Sequence, residues 1–138
     1  MADFGVSGLD ELMLSLQEVA QLPEDIQDEM LNAQADVVLR AQQSAAQAIK
    51  DTGQTARSLR KGRPKRKKGV RSVSITFSGN RKRGKTSTRN AEIAFVNEFG
   101  KRGVPARNFI RSANERSAAA STQAAKEIYD KYLQSKGL

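Results

Sequence analysis

Apolar and polar positions alternate most cleanly between Val70 and Ser78. Val73, Ile75 and Phe77 fall on one side, and Ser72, Ser74, Thr76 and Ser78 on the other. A period of two with one all-polar face predicts a strand in a sheet that is wet on one side. Ile93 and Phe95 alternate with Glu92 and Ala94, which predicts a second strand from Thr86 to Val96 or Asn97, antiparallel to the first. Together they make a β-hairpin over 70–97. Its tip, Gly79-Asn-Arg-Lys-Arg-Gly-Lys85, carries Arg81, Lys82, Arg83 and Lys85.

The rest of the apolar pattern has helical spacing. Leu9, Leu12, Met13, Leu16 and Val19 or Ala20, with Ser7 as a cap, predict a helical arm within 1–22. That arm either packs on the core or docks on a neighbouring subunit. Pro23 stands where a first helical turn accepts proline, with Glu24 and Asp25 beside the positive end of the macrodipole. Ile26, Met30, Ala33, Val37, Ala41, Ala45 and Ala48 or Ile49 then mark one stripe of a long helix over 23–52. The stripe narrows to alanine, which permits close approach by a sheet or another helix. Residues 54–69 are polar, basic and broken by Gly62, Pro64 and Gly69, the pattern of a mobile loop.

Residues 98–112 form a glycine- and proline-marked corner. Gly100 and Gly103 allow backbone angles that a Cβ forbids, and Pro105 fixes its own φ. Phe99 and Phe109 flank it as apolar anchors. Ser112-Ala-Asn-Glu115 matches a capping box and predicts a closing helix over 113–136, with Ala118, Ser121, Ala125, Ile128 and Tyr132 on its inner face. The expected fold is a single α+β domain spanning 1–138. In it a long N-terminal helix and a C-terminal helix pack on a small antiparallel β-sheet from which a basic hairpin projects.

Composition narrows the chemistry. With 38% apolar and 5% aromatic residues and no Trp, the core of this 138-residue chain is lean, and contacts with neighbouring subunits are an expected source of stability. The absence of Cys excludes disulfides and thiolate metal sites, and the absence of His removes the commonest general base and metal ligand. No leader-like segment and no apolar run of membrane-spanning length is read, so synthesis in a cytoplasm is expected. The net charge of +9 is unevenly placed: 14 of the 24 Lys/Arg and none of the 15 Asp/Glu lie between Arg57 and Arg89. An acidic scaffold carries one intensely basic module.

Catalysis is not expected. Glu92 and Glu98 share a strand face, but no third acid stands near, and Lys101 is one residue too far from Glu98 for the E-x-K spacing of metal-dependent nucleases. Glu98 is expected instead to accept hydrogen bonds from the turn or to pair with Arg107. Gly79-Asn-Arg-Lys-Arg-Gly-Lys-Thr86 satisfies G-x-x-x-x-G-K-[ST], but a phosphate-cradling loop needs a helix after it, and a strand is predicted there. No cofactor and no metal is implied. The cations of the two basic segments, Lys65, Arg66, Lys67, Lys68 and Arg81, Lys82, Arg83, Lys85, are candidates for contact with nucleic-acid phosphates or an acidic protein, against the plain alternative of a solvated charged loop. With no recognition helix and no exposed aromatic pair, any such contact is expected to ignore base sequence and to weaken steeply with salt.

Glu98-Phe-Gly100 followed by Pro105-Ala-Arg-Asn-Phe-Ile-Arg-Ser-Ala113 resembles the E-x-G…P-A-R-P-F-L-R-P-A signature of the small neck, head–tail joining or tail-completion proteins of tailed bacteriophages. Asp51-Thr-Gly-Gln-Thr-Ala-Arg-Ser-Leu59 is similar to that family's D-T-G-x-L-R-x-S-I segment. The order of elements fits over roughly residues 24–135. Asn108 and Ser112 replace prolines of the signature, Lys101 stands where Thr or Ser is common, and Thr55 and Ala56 replace Leu-Arg. The resemblance implies a structural virion protein, made in the host cytoplasm and assembled as a homo-oligomeric ring, expected as a hexamer. That ring would sit around the DNA channel, between head connector and tail proteins, with no membrane partner. Glu98, Phe99, Gly100, Pro105, Arg107 and Phe109 would form a corner that fixes the fold and an assembly contact. The competing expectation is a free, sequence-independent DNA- or RNA-binding protein; a capsid or tail-tube decoration protein is a third.

Overall fold

A computed structural model describes residues 2–3, 11–14, 22–49 and 53–137, with side chains described for 22–49 and 53–137 except that of Arg83. The elements are β1 (Ala2–Asp3), β2 (Glu11–Leu14), α1 (Glu24–Gln47), α2 (Gln54–Arg57), β3 (Leu59–Lys61), β4 (Lys65–Lys67), β5 (Val70–Phe77), β6 (Asn80–Arg83), β7 (Thr86–Arg89), α3 (Asn90–Phe99) and α4 (Phe109–Ser135). The expected α+β class holds: two long helices, a small antiparallel sheet and a projecting basic hairpin.

β5 is the hub. β2 pairs antiparallel with it through Glu11↔Ser74 to Met13↔Ser72, and β1 extends the sheet beyond β2. β3 pairs with it through Leu59↔Phe77 to Lys61↔Ile75, and β4 through Lys65↔Ser72 to Lys67↔Val70. Between Lys61 and Lys65 the chain passes three residues, while the partner passes only Val73 and Ser74. β3 and β4 are therefore one strand interrupted by a one-residue bulge at Gly62–Pro64, the expected way for a sheet to accommodate proline.

Three sequence expectations give way here. The 54–69 segment is no mobile loop: it supplies a short helix and the strand that completes one edge of β5. Within the 1–22 arm, Glu11–Leu14 is a strand rather than helix; the remainder of that expected helix lies outside the described residues. The second strand, expected from Thr86 to Val96 or Asn97, stops at Arg89, and Asn90–Phe99 is a helix. The positions α3 buries are Asn90, Ala94 and Glu98, a helical i, i+4, i+8 row that is mostly polar. Its large apolar residues Phe95 and Phe99 are exposed, so the alternation around Ile93 and Phe95 marks no buried strand face. Without that partner, β5 pairs with β2, β3 and β4, and the hairpin is a separate ribbon of β6 and β7.

α1 lies between the sheet and α4. Its sheet side places Leu31, Ala35 and Val38 in one buried cluster with Leu59, Val73, Ile75, Phe109 and Ile110. Its other side meets α4, which runs antiparallel: Gln42 Nε2 donates to Asn114 Oδ1 at 2.8 Å near one end, and Met30 packs with Ala125 towards the other. The expected stripe of Ala33, Val37, Ala41 and Ala45 is only half-buried. The buried row lies one residue round, and it carries Gln27, Gln34 and Gln42. α4 turns Asn114, Ser117 and Ser121 inward, Ser121 as expected, so the seam carries small and amide side chains, with Gln42–Asn114 as its cross-helix bond.

Candidate functional site: two basic hairpins and a stapled corner

The contiguous basic module of the sequence is split in space. β4 and β5 join through Lys68 and Gly69, both with positive φ (51° and 80°), the arrangement of a type I′ turn. β6 and β7 join at Gly84-Lys85, with Arg83 opposite Thr86. One basic hairpin precedes β5 and the other follows it, so they sit at opposite ends of an eight-residue strand, about 24 Å apart along it. That exceeds two Debye lengths at physiological salt. The two act as separate positive lobes.

Not every cation in these lobes is uncommitted. Arg66 and Arg71 stand directly opposite each other across the β4–β5 ladder, a like-charge pair that needs an acidic neighbour. α1 provides it. Arg71 makes a two-oxygen contact with Asp28 at 2.6 and 2.8 Å, Arg66 donates to Glu24 at 2.7 Å, and Glu24 lies 3.9 Å from Arg71 as well. Hydrogen bonding from Arg66 and the positive field of Arg71 and Arg66 hold the Glu24 carboxyl below its ordinary range. The Asp28 bond holds Arg71 protonated more firmly still. Lys61 pairs with Asp36 at 2.7 Å in the same manner. Glu24, Asp28 and Asp36 are spaced in fours and eights along α1, so a helical row of acids braces the basic edge of the sheet.

At the other end, Arg81 donates to Thr55 Oγ1 at 3.2 Å. Asn90 Nδ2 donates to the Ser78 carbonyl at 2.9 Å, while its backbone N–H donates to Gly79 at 3.0 Å. These bonds tie the hairpin root to the body. Of the eight predicted contact residues, Arg81 ties its hairpin to the body and the exposed Arg66 is paired with Glu24, whereas Lys65, Lys67, Lys68, Lys82 and Lys85 are exposed with no ion pair among the described residues. The Arg83 side chain lies outside the described residues. Thr86 opens β7, so the residues matching the nucleotide-loop pattern form a β-ribbon and no helix caps a phosphate site there.

The corner is organised by Glu98. Its carboxylate, 2% exposed, accepts from the backbone N–H of Ile110 at 2.6 Å and of Arg111 at 3.1 Å. α4 begins at Phe109, four residues before the expected start, and its first residue follows Asn108, which is left-handed and makes no side-chain capping bond. The capping box at Ser112–Glu115 falls inside the helix, where Glu115 pairs with Arg111. The cap thus comes from a different helix altogether. The returning chain also satisfies the end of α3: Gly100, Arg107 and Asn108 donate to the carbonyls of Val96, Asn97 and Glu98. Glu98 contacts backbone amides, while Arg107 is exposed and forms no ion pair with it among the described residues.

Gly100 takes φ 77° and ψ 176°, a region open essentially to glycine alone. A Cβ there would lie 2.7 Å from both Ala106 N and Val104 O. Asn108 adopts φ 48°. Proline cannot reach that angle, whereas asparagine is among the residues that tolerate it, so this departure from the phage signature has a conformational basis. The two expected anchors part company. Phe109 is buried edge-on against Phe77, with centroids 6.2 Å apart, and pins the corner. Phe99 is 45% exposed and packs at a tilt of 51° against Phe95, 58% exposed, with centroids 4.7 Å apart. An exposed aromatic pair therefore exists, contrary to expectation. A strand through Phe95 would keep the two rings apart, whereas the i, i+4 spacing of a helix brings them together.

No cluster of acidic residues among those described is arranged to hold a metal ion. Among the same residues, no helix is long and apolar enough to cross a membrane. Comparisons with family models, curated proteins and solved structures return no match for this chain.

Proposed function

We propose that this chain is a structural virion protein of a tailed bacteriophage, a neck or tail-completion subunit that assembles as a ring, hexameric by the resemblance, around the DNA channel between head connector and tail. The observation that carries this reading is the pair of lysine-tipped hairpins held at opposite ends of β5 by an acid-braced scaffold. Lys65, Lys67 and Lys68 at one end and Lys82 and Lys85 at the other are exposed. Two positive lobes suit the backbone of a duplex passing a ring, where contact must position without reading sequence. The residues that carry the resemblance support the reading in a second way. Glu98, Gly100 and Phe109 form one interlocked corner, so the motif has a physical reason to persist as a unit.

The competing reading is a free, sequence-independent DNA- or RNA-binding protein. A salt titration of the full chain against random duplex DNA, combined with co-assembly with phage head and tail components, separates them. If all five exposed lysines met phosphates, the log–log salt slope would approach about −4.5, or about 500-fold between 50 and 200 mM salt. The neck reading expects weak binding at physiological salt together with incorporation at one ring per particle. Tight binding by a soluble monomer at that salt, with no incorporation, establishes the alternative. Incorporation at many copies per particle points to a decoration protein.

A further inference from the structure

α3 is built inside out. The face it turns to the body carries Asn90, Ala94 and Glu98, and the face it turns to solvent carries Ala91, Phe95 and Phe99 in a single i, i+4, i+8 row. Phe95 and Val96, with Ala91, Arg89 and Glu92, line an open groove of about 440 Å³. A contiguous aromatic face on the surface of a chain only 5% aromatic marks a contact surface. Its rim is charge-balanced, since Arg89 and Glu92 pair at 3.0 Å. A carboxylate at the rim disfavours a polyanion and matches the apolar-centre, polar-rim anatomy of a protein interface.

Area and charge identify the partner surface. Ten residues of helix are about 15 Å long, too short alone to supply the roughly 800 Å² per partner of a stable contact. The interface must extend onto the adjoining corner, where Lys101, Arg102 and Arg107 are exposed. Two copies meeting by the same face would set these cations against each other. The face needs an apolar surface edged mainly by acids, and the chain has one. Leu22, Ile26, Ile128 and Tyr129 are partly buried around Met30 and Ala125. Around them Asp25, Glu29 and Glu127 are exposed with no ion-pair partner among the described residues, against one such cation, Lys131, since Lys126 is paired with Asp130. That surface lies by the C-terminal half of α4, whereas α3 is stapled to the N-terminal end of α4, about 25 Å away along its axis.

We infer that the α3 face of one copy docks on the Leu22–Ile26–Ile128–Tyr129 face of a second copy. The contact is head-to-tail, so each copy keeps a free donor face and a free acceptor face, and the association closes into a ring or continues. This inference rests on the ring proposed above and names its interface.

The test is the solution mass of the full chain at about 100 µM, where a micromolar contact is saturated. Three samples are compared: wild type, a Phe95→Asp/Phe99→Asp variant and a Glu29→Lys/Glu127→Lys variant, each checked for an unchanged far-UV spectrum and cooperative melting. Wild type is expected as a species larger than a dimer, and each variant alone as a monomer. The two variants mixed are expected to form a 1:1 heterodimer and nothing larger, because each retains the face the other lacks. Variants that keep the wild-type mass overturn this interface while leaving a ring in place. A wild-type dimer, or a mixture that stays monomeric, overturns the head-to-tail geometry. A monomeric wild type overturns the interface and the self-assembled ring together. A Phe95→Asp/Phe99→Asp variant that keeps its mass but loses single-stranded DNA binding assigns the pair to base stacking and overturns the proposal.

Discussion

The backbone N–H of Ile110 donates to Glu98 Oε2 at 2.6 Å, so the carboxylate that ends α3 caps the amides that begin α4. Anionic capping of a helix N-terminus combines a charge-assisted bond with the macrodipole. The same residue's main-chain carbonyl accepts from Asn108 at 3.1 Å. Both elements are therefore locked through one side chain and its own backbone.

Removing that carboxylate leaves the Ile110 and Arg111 amides unsatisfied at a buried helix start. Glu98→Ala is expected to destabilise by about 3 kcal/mol, and Glu98→Gln, which keeps one acceptor, by about 1 kcal/mol. Urea denaturation gives both values. Hydrogen exchange should localise the loss to the amides of residues 110 and 111.

Two backbone positions in the corner admit few residues. Gly100→Ala forces a Cβ to 2.7 Å from two backbone atoms in a conformation reserved for glycine, and should cost about 3 kcal/mol or more. Asn108→Pro, which introduces the residue found at this place in the signature the chain resembles, removes an N–H bonded to Glu98 and demands a φ of opposite sign; a similar loss is expected. An unchanged melting temperature for Asn108→Pro would show that the corner can adopt a second geometry.

The acid brace predicts a pH limb. Glu24 has its carboxyl lowered from 4.5 by Arg66 and Arg71, so its contribution is complete above that value and is lost as pH falls through the lower folded value. Stability should therefore decline as pH drops below about 4.5, and this part of the decline should be absent in Glu24→Gln. Thermal melts at stepped pH, run for both proteins, give the difference directly.

Lys68 holds a left-handed conformation at φ 51° without the freedom of glycine. Lys68→Gly or Lys68→Asn should raise the denaturant midpoint by the equivalent of about 1 kcal/mol. The same change removes one exposed cation, so the salt slope of any DNA binding should fall by about 1.

Much of the architecture was legible in the chain itself. The alternation of Val73, Ile75 and Phe77 against serines and threonine fixes β5, because one apolar face can be buried only in that register. Pro23 with its following acids fixes the start of α1, and the run of cations without an acid fixes a strongly positive surface. These are local signals, set by side-chain period and backbone chemistry within a few residues. What the chain could not disclose depends on neighbours distant in sequence. The polar inner face of α3 makes sense only once Glu98 reaches the amides of residues 110 and 111 and Asn90 reaches the Ser78 carbonyl. The buried Gln42 of α1 makes sense only once its amide reaches Asn114 on α4. The basic module divides into two lobes because β5 runs between its halves, and Arg66 and Arg71 are neutralised by acids more than 40 residues away. Hydrogen bonds and ion pairs at such separations leave no periodic trace, so tertiary structure alone decided which charges brace the fold and which face outward.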